Sequence, residues 1–205
     1  TVYSYDQRGR MLSERVSING VEKAMVNYSY DALGNLTGKS YGNGVTDNLQ
    51  YNIQGWGTVS QTVKGSETLY SQRLRYYDAE KGSGLYNGNI SEWRMQQGTN
   101  AASTYRYGYD GLGRLTTSSR YAGSGTSATN SWCERGIDYD LNGNIVTLQR
   151  FGSSASTAED NLFYDYSGNR LTALTGSSRG AELNASYSYD AGGNMLYDGR
   201  RGLGI

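Results

Sequence analysis

The stretch Tyr28-Ser29-Tyr30-Asp31-Ala32-Leu33-Gly34-Asn35-Leu36 decides the fold. Tyr28 and Tyr30 fall on one face of a strand, because side chains alternate with period two. Asp31 opens a tight turn, where its carboxylate can accept hydrogen bonds from the turn's own amides. Two ordinary residues follow, and Gly34 supplies the positive φ that returns the chain. Asn35 and Leu36 begin the returning strand. Asp-x-x-Gly therefore reads as a hairpin turn, and its Asp and Gly as structural residues.

The same unit recurs along the chain. It stands at Tyr3-Ser4-Tyr5-Asp6 with Gly9-Arg10-Met11, at Tyr107-Gly108-Tyr109-Asp110 with Gly113-Arg114-Leu115, and at Tyr187-Ser188-Tyr189-Asp190 with Gly193-Asn194-Met195. Altered copies are Ile137-Asp138-Tyr139-Asp140 with Gly143-Asn144-Ile145, and Tyr164-Asp165 with Gly168-Asn169. In Tyr51-Asn52-Ile53-Gln54-Gly55, Asn replaces Asp. The turn glycines 9, 34, 55, 113, 143, 168 and 193 lie 25, 21, 58, 30, 25 and 25 residues apart, and the long gap holds an eroded unit from Tyr76-Tyr77-Asp78 to Asn87-Gly88-Asn89-Ile90. About eight units thus make residues 1–205 a single repeat region.

Between the tight turns lies a looser set of breakers: Asn19-Gly20, Gly42-Asn43-Gly44, Lys64-Gly65-Ser66, Gly123-Ser124-Gly125, Gly152-Ser153-Ser154 and Gly176-Ser177-Ser178. The alternation sets the rhythm of an antiparallel meander. The expected fold is all-β: repeated antiparallel hairpins forming one long, twisted, curling sheet of at least ten strands. Tight turns should line one margin and the variable loops the other. Residues 154–162 have room for one helical turn at most.

Composition agrees and removes several functions. Leu, Ile, Val and Phe number only 33 of 205 residues, while Tyr numbers 20 and Gly 29. Any core must lean on phenol rings, which suit strands but carry a hydroxyl that needs a partner. The absence of histidine excludes Ser-His-Asp and Cys-His catalysis and His-liganded metals within this chain. A single cysteine, Cys133, excludes an internal disulfide and a Cys-rich zinc site. Nineteen cations balance nineteen anions, so the clustered positive excess of a dedicated nucleic-acid binder is missing. No apolar run is long enough to insert in a bilayer. No enzyme activity, cofactor or metal is expected.

Tyr-Asp-x-x-Gly-(Asn/Arg)-apolar at intervals of about 25 residues resembles the RHS, or YD-repeat, proteins: bacterial polymorphic toxins, insecticidal toxin-complex cocoon subunits and the animal teneurins. The resemblance runs from Thr1 to Leu196. It implies a β-ribbon coiling into a hollow shell around a C-terminal payload, in a protein that is secreted or displayed at the cell surface. The partners it implies are the remainder of the repeat shell and that payload. The family's aspartyl autoproteolysis site lies next to proline and has no counterpart here, since proline is absent. No catalytic residue carries over. The ending Arg200-Arg201-Gly202-Leu203-Gly204-Ile205 breaks off within a repeat, as expected of a cut-out piece.

The aromatics support one alternative, a carbohydrate-binding or cell-surface recognition module whose rings stack on glycans. Rings inside Tyr-x-Tyr define the repeat and read as cross-strand ladders. Trp56, Trp93 and Trp132 lie outside it and are the ligand-binding candidates. The turn residues Asp6, Gly9, Asp31, Gly34, Asp110, Gly113, Asp140, Gly143, Asp165, Gly168, Asp190 and Gly193 read as structural. Each turn offers one carboxylate where calcium wants six to eight oxygens. Asp138 and Asp140 share a face, but no cleft is expected around them for glycoside hydrolysis. Fifteen of the nineteen cations are Arg, suited to pairing with acids or stacking on Tyr. Val2-Tyr3-Ser4-Tyr5 and Asn194-Met195-Leu196-Tyr197 carry no Lys, Glu or Pro to block strand addition, so a homo-oligomer is also expected.

Overall fold

The structure is a computed structural model that describes the chain apart from Asn130, Ala155 and Ile205, and apart from the side chains of Glu22 and Ala24. Ile205 of the terminal stretch thus lies outside the described residues. Every regular element among those described is a strand. Two compact units are present, Thr1–Thr104 with Ala122–Ser124, and Tyr105–Tyr121 with Gly125–Ile205.

The first unit holds β1 (Val2–Tyr5), β2 (Met11–Ile18), β3 (Val21–Tyr30), β4 (Leu36–Tyr41), β5 (Val45–Tyr51), β6 (Gly57–Lys64), β7 (Glu67–Arg75) and β8 (Glu92–Gln97). β9 (Ser103–Tyr109) and β10 (Leu115–Ala122) fall mostly in the second unit. That unit continues with β11 (Cys133–Tyr139), β12 (Ile145–Phe151), β13 (Asp160–Ser167), β14 (Arg170–Ser178), β15 (Ala181–Tyr189), β16 (Met195–Asp198) and β17 (Leu203–Gly204). The strands pair strictly in chain order, the meander expected from the breaker rhythm. The ladder is divided, with β1 to β10 in one sheet and β11 to β17 in another. Where it divides, side chains bond main chain instead: Ser118 Oγ of β10 accepts from the Glu134 amide at 2.8 Å, and Thr117 Oγ1 donates to the Glu134 carbonyl at 3.4 Å. Gly136, with φ 56°, throws the β11 register off between Arg135 and Asp138.

A register shift recurs at the second tyrosine of the motif. It falls at Tyr5, Tyr30, Tyr51, Tyr139, Tyr166 and Tyr189, each at the end of the strand entering a tight turn or, for Tyr166, one residue before it. A bulge of this kind bends the strand and re-aims the side chain it carries. In the full turns the closure is uniform: the Asp31 amide donates to the Asn35 carbonyl at 3.0 Å and the Gly34 amide to the Asp31 carbonyl at 3.1 Å, with Gly34 at φ 97°.

Two sequence readings are corrected by the register. Asp165 is not a turn residue; it lies within β13 opposite Ala173. The bulged tyrosine here is Tyr166, so the unit is Tyr164-Asp165-Tyr166-Ser167, and the chain reverses through Gly168 and Asn169 between the paired Ser167 and Arg170. Gly168, at φ 63°, is the first of two turn residues, as a type II′ hairpin requires. Gly176-Ser177-Ser178 is likewise no loop but the end of β14, and the reversal comes at Arg179-Gly180. Gly176 is needed there because a Cβ would collide with the Asn161 carbonyl.

Burial differs between the units. In the second, Ile137, Leu148, Leu162, Leu174 and Ala185, one residue from each of β11 to β15, form a buried stripe. Tyr139, Tyr164 and Tyr187 pack against it. In the first, the fully buried side chains among the described residues are Glu92 and Ser91, at the end of the irregular segment 76–91 that joins β7 to β8.

Candidate functional site

The repeated chemistry of this molecule sits at the tight turns. The carboxylate of each turn Asp closes its own loop. Asp6 Oδ1 accepts from the Arg8 and Arg10 amides at 2.8 and 2.9 Å, and Oδ2 from Arg10 Nε at 2.7 Å. Asp110 does the same with Leu112 and Arg114. Where Asn follows the glycine, its amide replaces the guanidinium, at Asp31–Asn35, Asp140–Asn144 and Asp190–Asn194. These bonds hold the carboxyls below their usual range. The leading cause is the main-chain amide of Arg10 or Arg114 for Asp6 and Asp110. For Asp31, Asp140 and Asp190 it is the Asn side chain. Gly9, Gly113, Gly143 and Gly193 all carry positive φ, like Gly34. Among the described residues, no turn brings a second carboxylate to its Asp and no group of three or more metal-ligating side chains occurs.

The same turns are tied to their neighbours. In the first unit the Tyr30 hydroxyl donates to the Met11 carbonyl at 2.8 Å, Tyr51 to Leu36 at 2.9 Å and Tyr76 to Gly57 at 3.0 Å. In the second, Tyr139 donates to Leu115 at 2.7 Å and Tyr166 to Ile145 at 2.9 Å. Each acceptor belongs to the strand that leaves the preceding turn. At Tyr30, Tyr51, Tyr139 and Tyr166 the bulge at the tyrosine aims the ring across to it. The residue after the turn glycine completes the tie: Arg10 lies 4.7 Å over the Tyr30 ring and Arg114 4.4 Å over Tyr139, and their guanidinium groups donate to the Asp31 and Asp140 carbonyls. Asn144 reaches the Gly168 carbonyl at 3.2 Å in the same way. Sequence reading found the turn but missed this latch, although the fixed place of the second tyrosine before Asp was its signal.

The three tryptophans occupy different settings. Trp56 takes the position of Arg10 and Arg114, and its ring packs on Tyr76 with centroids 4.9 Å apart and against Gly88. That placement makes Trp56 part of the hairpin stack. Trp93 lies opposite Leu74 on β8, half-buried, and donates from Nε1 to Gln72 Oε1 at 3.1 Å. Trp132, in the second unit, is 55% exposed and has φ 56°, a left-handed backbone held by its amide bond to the Gly152 carbonyl at 2.7 Å. Trp56 and Trp93 are thus engaged within their own unit, and Trp132 alone presents an open ring.

No family model matches the chain, and no curated protein matches it. Solved structures that match the chain include the TcdB2-TccC3 crystal structure, at 14% identity and TM-score 0.35 over 96% of this chain. The Photorhabdus luminescens Tc holotoxin pore matches at 14% identity and TM-score 0.34 over the same share. In both cases the chain spans 14% of the length of the solved one. A porin-like protein from Bacteroides uniformis matches at 13% identity and TM-score 0.41, covering 90% of this chain and 85% of the other.

Proposed function

We propose that this chain is a structural repeat segment, part of the wall of a β-shell in a secreted or surface-displayed protein of the RHS/YD-repeat kind, with no catalytic activity of its own. Its partners are then neighbouring repeats of the same wall and the payload the wall encloses. One observation carries the reading: five tyrosine hydroxyls each bond the main chain of the hairpin before. The motif thereby spends its polar groups on stacking one hairpin on the next, which is what a wall requires. The open edge of β1, exposed along its whole length, agrees with a wall that continues by strand pairing.

Light scattering across a concentration series tests this. Association that grows with concentration, and is abolished by Ser4→Pro on the β1 edge, supports the wall segment. A monomer at every concentration means that the edge is not a joining surface and overturns the reading. A recognition module is favoured by one observation only, the exposed ring of Trp132. Glycan-array binding lost in Trp132→Ala would support that second reading, and no binding by the wild type would sink it.

A further inference from the structure

The register of β5 to β8 places a set of polar side chains on one sheet face. Gln50 lies opposite Val59, Val59 opposite Arg73, and Arg73 opposite Arg94. The next row on that face runs Asn48, Gln61, Ser71 and Gln96 by the same pairings. Arg73, Arg94, Gln50, Gln61 and Ser71 line an open basin of about 300 Å³ floored by Val59. Directly opposed residues have Cβ atoms about 5 Å apart, and like charges so placed destabilise a sheet. Elsewhere in the same unit, Arg10 is paired with Asp6, and Arg75 with Asp78, Glu80 and Glu92. Among the described residues, no carboxylate or carbonyl pairs with Arg73 or Arg94. The nearest acid on this face, Glu92, is fully buried and already accepts from the Glu80 and Lys81 amides at 3.1 and 2.8 Å beside Arg75.

We propose that this basin binds a tetrahedral oxyanion, a sulfate or phosphate group, clamped between Arg73 and Arg94 with Gln50 and Gln61 at its rim. Two guanidinium forks and two amides offer more donors than the two oxygens of a carboxylate can use, and they match the three or four oxygens of a tetrahedral group. Binding turns the opposed arginines from a repulsive pair into a bridged one. The group arrives either as the free ion or as an ester on a sugar chain.

The test is the order of melting of the wild type and Arg94→Gln, measured in chloride and in sulfate at matched ionic strength. Sulfate raises the stability of most proteins by exclusion from their surface, so the order carries the answer rather than the shift. In chloride the variant, freed of the like-charge contact, should melt at or above the wild type. In sulfate the wild type should melt higher. Arg73→Gln should reproduce the crossing. An unchanged order in the two salts, for both variants, overturns the site. Calorimetric titration with a sulfated oligosaccharide and its desulfated form then separates the sources. Binding of the sulfated form about tenfold or more tighter than free sulfate assigns the ester, and weaker binding assigns the free ion. Binding of both oligosaccharides alike, retained in Arg73→Gln, speaks against an oxyanion site altogether.

Discussion

In the second unit β11 to β15 each give one aliphatic or small side chain to a buried stripe, from Ile137 to Ala185, and tyrosines close over it. Among the described residues of the first unit the deepest side chains are Glu92 and Ser91, and the buried apolar residues are Tyr76 and Ala102. Both units use the same hairpin and the same latch. They differ in what happens where the repeat is regular and where it breaks. Regular repeats set same-face residues in register, so a stripe of one Leu or Ile per strand is enough to exclude water. Between β7 and β8 the unit is eroded and segment 76–91 is irregular, leaving main-chain amides with no ladder to join. Glu92 takes up two of those amides, at Glu80 and Lys81, and Arg75 neutralises it while also bonding Asp78 and Glu80. An ionic plug has replaced the apolar stripe.

The largest expected effect is at that plug. Glu92→Ala removes a buried charge's partner and strands two amides, at a cost of about 3–5 kcal/mol. Hydrogen exchange should accelerate across 76–91 and spare β11 to β15. A loss under about 1 kcal/mol would mean that water already serves those amides, and the contrast between the units would fall. Leu174→Ala comes next, at about 2–4 kcal/mol from lost transfer energy and a cavity. Its exchange signature should be confined to the second unit. Equal acceleration in both units would show that they unfold together.

Third is the latch, which both units share. Tyr30→Phe and Tyr139→Phe each delete one hydroxyl and its bond to a main-chain carbonyl, for about 1 kcal/mol apiece. Similar losses in urea unfolding fit one joint used twice. A loss several times larger at Tyr139 would tie the latch to the stripe it packs against. The smallest effect is alkaline. Burial raises Tyr107 to about 12 and also raises Tyr109, Tyr164, Tyr166 and Tyr187 in the second unit. In the first, Tyr41 is raised chiefly by its bond to Asp47, and Tyr76 by burial. A raised phenol favours the neutral form in the fold, so its stabilisation is whole below about pH 10 and is lost as pH rises through the folded value. Between pH 10 and 12 the second unit should therefore weaken more, and fluorescence melts that stay parallel for both units would contradict this.

Much of this was legible in the sequence because the turn is local chemistry. Asp31 and Gly34 sit three apart and define their own loop, whatever the rest of the chain does. Tyr166 is hidden in the sequence because the unit offers two tyrosines two residues apart, and the Tyr164-Asp165 pair resembles the motif while the bulge selects Tyr166. Gly176 read as a breaker although it lies in a strand, since only the approach of the Asn161 carbonyl explains it. Trp56 lies outside Tyr-x-Tyr, but its place after the turn glycine matches that of Arg10 and Arg114. Arg73 and Arg94 are separated by the irregular segment, and no spacing rule brings them opposite one another. That pairing is a matter of register across a loop of unpredictable length.

The tyrosine latch makes one demand on the hairpin before it, a main-chain carbonyl at the right height. The five acceptors are Met11, Leu36, Gly57, Leu115 and Ile145, side chains from none to large and branched. A joint that ignores the spelling of its neighbour leaves that neighbour free to drift. Hairpins of separate ancestry can then be spliced in tandem without redesigning the seam, and a gene made of such units can lengthen or shuffle its middle while every junction still closes.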